Sequence, residues 1–306
     1  MNRTTPPGPR AVVGRRRLLQ LSLGSAAGLG LGALTGCGLV QDTPAGTAGG
    51  GPDDRTIRMI VTESAPYQES TKIAQRLLKE QGWDLQPTYV TDIIQPNLAV
   101  SNGEYDVNYF QHVAYLKQFN EDKGLDIVPL FYVYSGPGGI WSAEYGSVEE
   151  LPDGARIAIP VDTANNGRAL VLLRDAGLIE LADKNVIHTS TADITANPKG
   201  FQFVEVDQQS LAHTYPDVDA GFLIARMAAE IGLAEEDAIA FEKDQDQAPF
   251  RILVGARRDF VDSEKARALQ QAYQSPEVRA WFEGYLGGIL PTPWDADPLA
   301  DYQSLS

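Results

Sequence analysis

The sequence predicts an α/β protein whose folded body is two lobes facing each other across a cleft. Three observations predict it. From Arg55 onward short apolar runs alternate with amphipathic segments, the stretch Ser135-Gly136-Pro137-Gly138-Gly139 breaks that rhythm in mid-chain, and the same alternation then resumes. The 306 residues, 43% of them apolar and 22% charged, are enough for one large or two medium domains, each with its own core.

The elements follow in order. Residues 57–61 read as a strand, 67–81 as a helix with Ile73, Ala74, Leu77 and Leu78 at helical spacing, and 85–90 as a second strand. A helix at 96–102, a strand at 105–108, a helix at 112–121 and a strand at 127–134 complete the first series. Beyond the glycine-rich break the expectation is a strand at 156–159, a helix at 165–176, strands at 201–206 and 218–223, a helix at 224–231 and a strand at 251–256. Two helices close the body: 263–273, with Ser263 as N-cap, and 276–285, with Pro276 where a first-turn proline is tolerated. Crossing strands then divide the body into one lobe of residues 55–134 plus 250–306 and another of 135–249, with ligands expected in the cleft between them.

Ahead of the body lies an address. Five of the 25 basic residues fall within the first 36 positions, which hold no acid, so the remaining chain is more acidic than the whole-chain charge of −16. Such a surface repels nucleic acid and anionic headgroups, so a small molecule is the expected partner. Arg15-Arg16-Arg17, a diluted apolar stretch and small residues leading to Cys37 make residues 1–36 an export signal, through either the twin-arginine or the Sec route. Leu34-Thr35-Gly36-Cys37 resembles a lipobox, in which the cysteine left after cleavage carries diacylglycerol. The plainer alternative is an incidental cysteine on a hydrophobic helix. Residues 37–54, rich in Gly, Ala, Thr and Pro, read as a lipidated cysteine and flexible tether, holding the body at the extracytoplasmic face of the cell membrane. One cysteine and three histidines exclude a disulfide scaffold and a Cys-rich metal site, and no cofactor or metal is expected.

Two stretches carry a resemblance. Thr91-Asp92-Ile93-Ile94-Gln95-Pro96-Asn97-Leu98-Ala99 with Asn102-Gly103-Glu104-Tyr105-Asp106-Val107-Asn108-Tyr109-Phe110-Gln111-His112 and Tyr115-Leu116 is the first, and Pro160-Val161-Asp162-Thr163-Ala164-Asn165-Asn166-Gly167-Arg168-Ala169-Leu170 the second. Both closely resemble the NlpA lipoprotein family, the methionine-binding lipoproteins of ABC importers, over about residues 55–294. The resemblance implies a two-lobed periplasmic-binding-protein fold of type II. Such a protein closes on an amino-acid-like carboxylate and delivers it, as a monomer, to a permease and its ATPase.

The chemistry of these residues agrees. Arg168 can offer a carboxylate a bidentate fork that never loses its charge, and Asn165, Asn166 and Gly167 precede it at a helix start, where free amides favour anions. The alternative for Arg168 is a surface helix position. Tyr109, Phe110, His112 and Tyr115 are expected to wall a slot for a soft side chain, or else to be strand-end core. Alternation along a strand sets Phe110 opposite to Tyr109, and the expectation favours Tyr109 and His112 for the slot. Tyr67 follows the first strand, where a loop enters the cleft. Gln95, Asn97 and Asp106 are expected to hold loop backbone, His188 and His213 to be solvated, and Trp141 to be hinge core or cleft lining. The resemblance further implies two asparagines on the ligand's amino-acid group. This chain has Ile224 and Ile252 there, so Glu63 or Asp219 must take over the ammonium, or the ligand is not a free amino acid. No Ser or Cys nucleophile motif, metalloprotease motif or phosphate loop points to an enzyme using this cleft; a binding lipoprotein serving signalling or assembly is the other alternative.

Overall fold

The computed structural model describes residues 54–305, apart from the side chains of residues 244–246. The export signal, the lipobox Cys37 and nearly all of the tether lie outside the described residues. The chain begins with β1 (Thr56–Thr62), α1 (Ala65–Glu80), β2 (Asp84–Val90), α2 (Gln95–Ser101), β3 (Val107–His112), α3 (Val113–Lys123) and β4 (Ile127–Ser135). It continues through β5 (Gly138–Trp141), β6 (Arg156–Pro160), α4 (Thr163–Asp175), β7 (Glu180–Leu181), β8 (Ile194–Ala196), β9 (Gln202–Val206), α5 (Leu211–Thr214), β10 (Ala220–Ile224), α6 (Ala225–Glu230) and β11 (Ala238–Phe241). Finally come β12 (Arg251–Arg257), α7 (Glu264–Tyr273), α8 (Pro276–Gly284) and α9 (Pro298–Ser304).

These strands form two five-stranded sheets and a small β7–β8 ribbon. The first sheet has the order β2-β1-β3-β12-β4, with β1 parallel to β2 and β3, and β12 antiparallel to both its neighbours. The second has the order β11-β5-β10-β6-β9. Its β6, β9 and β10 run parallel, while β5 opposes β10 and β11. The chain therefore crosses between the sheets at 136–137 and returns at 242–250, so that β12, late in sequence, sits inside the first sheet. This is the two-lobed α/β architecture expected from the alternating pattern.

The inner strands are buried on both faces, all six residues of β3 and all four of β5 among them, while the edge strands β2 and β9 keep exposed residues. Against one face of the first sheet α1, α7 and α8 pack Ala74, Leu78, Leu269, Tyr273 and Phe282. Local chemistry sets the helix ends. Ser263 accepts from the Ala266 amide at α7, Ser275 from Val278 at α8, and Asp297 from Leu299 and Ala300 at α9. Four strands and two helices depart from the sequence reading: β5 and β11 lie beside glycines and an acidic run, β7, β8 and α5 are only two to four residues long, and α9 follows the two helices expected to end the body. Among the described residues no helix is long and apolar enough to cross a membrane.

Candidate functional site

Between the two sheets lies a cavity of about 750 Å³, its open mouth included. Its walls come from strand ends and the segments beside them: Thr62 at the end of β1, Phe110 to His112 on β3, Tyr134 on β4, Ile224 on β10 and Ile252 on β12. Asn165 and Arg168 on α4, Arg226 on α6, and Gln208 and Gln209 close it from the other side.

His112 is the joint between the two walls. It ends β3 and caps α3, its Nδ1 accepting the Tyr115 amide at 3.0 Å. That bond leaves the proton on Nε2, which reaches Asn165 Oδ1 at 3.1 Å across the cleft. Burial, helped by the nearby Arg168 charge and opposed by Asn165, holds His112 down to about 3, so the ring is neutral at physiological pH. Both nitrogens are thus engaged within the protein, and the ring offers its edge to the cavity. Phe110 and Tyr115 meet at 5.8 Å, edge to face, and Tyr115 fixes its ring by donating to Ile93 O at 2.9 Å. Tyr67 lines the cavity as well, donating to Phe110 O at 3.2 Å.

Tyr109 is a correction. It has no exposed surface and no place on the cavity wall; it packs between Tyr67, tilted at 4.7 Å, and Tyr273, edge to face at 5.4 Å, with its hydroxyl 3.3 Å from Ser70 Oγ. A register shift in the β3–β12 pairing leaves Phe110 unpaired between Tyr109 and Gln111, so Tyr109 packs against α1 and α7 while Phe110, Gln111 and His112 all line the cavity. Burial accordingly pushes the Tyr109 hydroxyl well above its ordinary value.

Arg168 is buried and reached through α4, whose position depends on Gly167. A Cβ there would lie 2.0 Å from the Val186 carbonyl oxygen, so only glycine lets the helix come this close to the 186–189 turn. The expected bidentate fork exists, but its partner is internal. Nε and Nη2 each donate to a Glu242 carboxylate oxygen at 2.6 Å, and Nη2 also donates to Gly136 O at 2.7 Å. Glu242 in turn accepts the Gly138 amide at 2.8 Å. Arg168 thereby ties α4 to both crossings between the sheets, with the Phe250 ring 4.1 Å from the guanidinium carbon. Only Nη1 makes no hydrogen bond to a described residue, and it is the group left for a ligand.

The helix start is likewise less open than expected. Asp162 accepts the Asn165 amide at 3.0 Å and Nδ2 at 2.9 Å, so α4 is capped by its own carboxylate, which burial raises above its usual range. Other expectations resolve individually. Asn97 is buried in a side-chain network with Gln111 and Asn108 rather than bonded to loop backbone, and Asp106 pairs with Arg58. Trp141 is core, donating to Ala234 O at 3.0 Å. His188 and His213 are exposed, His188 lying 3.5 Å from Glu121. Neither Glu63 nor Asp219 lines the cavity: Glu63 is exposed, and Asp219 accepts the Arg156 amide at the opposite end of β10 from Ile224.

Two functional residues escaped the sequence reading. Glu242 left no signal, being joined to Arg168 across 74 positions. Arg226 did leave one: it lies two residues beyond Ile224, at the carboxyl end of a strand, where open α/β sheets place ligands.

A cavity closed between two sheets that are joined by crossing segments, lined by aromatic rings and guanidinium groups, defines a two-lobed solute-binding protein of the periplasmic type. Residues 59–292 match the NlpA lipoprotein model, and the chain belongs to that family. It is 34% identical over 249 residues to a D-methionine-binding lipoprotein MetQ of Salmonella typhi, covering 80% of this chain and 88% of that one. It is 32% identical over 252 residues to the methionine-binding lipoprotein MetQ of Bacillus subtilis, covering 80% and 92%. Among solved structures, a nutrient-binding protein from Burkholderia cenocepacia bound to methionine superposes with a TM-score of 0.72 at 31% identity, covering 78% of this chain and 99% of that one.

Proposed function

We propose that this chain is the substrate-binding lipoprotein of an ABC importer and that it clamps methionine or a related carboxylate between lobes of residues 55–134 plus 250–306 and 135–249. The observation that carries the proposal is the cavity itself: a buried arginine whose Nη1 is unspent lines it together with Phe110, His112, Tyr115 and Tyr67, a donor for a carboxylate beside rings suited to a soft side chain. The relatives named for methionine binding and the family's lipoprotein character support it. Ligand favours the closed state because only there do both walls touch it, and the two crossings are where the backbone turns to open it. The chain works as a monomer without catalysis, held by acylated Cys37 at the outer face of the membrane, where the closed form meets its permease.

The test is direct. Arg168→Gln should weaken calorimetric binding of L-methionine by at least ~10-fold, and an unchanged affinity would remove Arg168 from the site. Cys37→Ala should move the protein from the membrane fraction to the soluble one; a variant that still pellets after a high-salt wash would refute lipid anchoring.

A further inference from the structure

The donors and acceptors of the cavity are not those an ammonium needs. Among its described lining residues there is no aspartate or glutamate, while two arginines, Arg168 and Arg226, face it. Three of the four side-chain carbonyls that line it are engaged, that of Gln209 being the exception. Gln111 Oε1 accepts from Asn97 at 2.8 Å, Asn165 Oδ1 is 3.1 Å from His112 Nε2, and Gln208 Oε1 accepts from Asn165 at 3.0 Å. Gly136 O takes Arg168 Nη2. Ile224 and Ile252 supply hydrocarbon where a charged amine would want oxygen.

The donors are in surplus. Arg168 keeps Nη1. Arg226 spends only Nη1, on both oxygens of Glu230 at 2.8 Å, and its Nε and Nη2 make no hydrogen bond to a described residue. Its partner is 41% exposed, so water screens that carboxylate and leaves much of the guanidinium's charge to act on the cavity. An ammonium entering here would meet the guanidinium of Arg226, whose carboxylate partner water screens, with few free acceptors to replace its hydration. An oxygen on the same carbon would meet a donor.

We propose that this cavity selects a 2-oxo or 2-hydroxy acid with an apolar or thioether side chain, not the amino acid, and that Arg226 is the residue that sets the preference by donating to the 2-oxygen while Arg168 holds the carboxylate. This rests on the acid-binding function proposed above and narrows its ligand class. His112 adds no competing charge, since its ring is neutral, and the aromatic wall is indifferent to what the second carbon carries.

The full-length protein titrated with 4-methylthio-2-oxobutanoate, 4-methylthio-2-hydroxybutanoate, L-methionine and D-methionine tests it. At least one of the two oxygenated acids should bind ~10-fold or more tightly than either methionine enantiomer, the equivalent of one charge-assisted hydrogen bond. Arg226→Gln should abolish that preference, and Arg226→Lys should restore part of it. Tighter binding of either methionine overturns the inference while leaving the proposed function intact. A preference that survives Arg226→Gln overturns the role of Arg226. If none of the four binds, the proposed function falls and the inference with it. Ile224→Asn with Ile252→Asn supplies the reverse reading: added side-chain oxygens should move the preference toward methionine, and no movement would contradict the donor and acceptor reasoning.

Discussion

The two arginines of the cavity stand in opposite circumstances. Arg168 is 1% exposed at its side chain and shares two hydrogen bonds with Glu242, itself 4% exposed; it is framework, and the proposed ligand donor as well. Arg226 sits nearer water, its side chain 12% exposed and its carboxylate partner 41%, and nothing else in the described structure depends on its fork. A buried ion pair is costly to form and costlier to break, whereas a pair open to solvent contributes little. One end of the cavity is therefore built into the fold and the other is free to set specificity.

The sharpest way to break this contrast is Glu242→Ala. It strands the Arg168 charge in the interior and should cost about 3–5 kcal/mol of stability, read by urea denaturation. A loss below about 1 kcal/mol would mean that water reaches the pair and that the two ends are alike. Replacing both partners, Arg168→Met with Glu242→Leu, should recover most of that loss, because an apolar pair carries no desolvation penalty.

Next in size is Gly167→Ala. Its methyl would strike the Val186 carbonyl, which is backbone and cannot swing aside, so α4 must shift at a cost of about 1–3 kcal/mol. Thermal unfolding of the variant at an unchanged melting temperature would show that α4 is not held as closely as described.

His112 gives a pH signature. Its folded value of about 3 lies below the unfolded value of ~6.5, so below pH 6.5 the unfolded chain takes up a proton that the native ring refuses. Stability should fall as pH drops through that window, by up to about 1.4 kcal/mol per pH unit from this group alone. His112→Gln should remove this component of the slope; an identical acid profile in the variant would mean that the ring is protonated in the native state. The smallest expected effect is on the stability of Arg226→Gln, within about 1 kcal/mol of the parent in the same denaturation assay. A larger loss would make Arg226 framework too.

The contrast also explains what could be read from the sequence. Alternating apolar runs placed most strands and the principal helices to within a few residues, because burial on both faces of a sheet is a local property of composition. Ser263 announced its helix by side-chain chemistry alone. Gly138 and Gly139 did not announce β5: they looked like a break, yet Phe222 lies 2.6 Å from where a Gly138 Cβ would be, and Trp141 2.7 Å from that of Gly139. These glycines admit large rings from their own sheet, a reason visible only after folding. The cavity wall was legible as a stretch, 109–115, but the side of the sheet was not. Alternation says that Tyr109 and Phe110 part company; which one meets the cleft depends on the helices α1 and α7 that cover the other face. The second signature brought Arg168 forward, and the structure places it on the cavity wall, while its internal partner Glu242 belongs to a contact that no local pattern encodes.

The most direct measurement is a crystal structure of the protein soaked with 4-methylthio-2-oxobutanoate. The carboxylate should lie within hydrogen-bonding distance of Arg168 Nη1, the 2-oxygen near Arg226, and the thioether against Phe110, His112 and Tyr115. An acid bound elsewhere would contradict the site, and a cavity that stays empty of it at saturating concentration would contradict the ligand class.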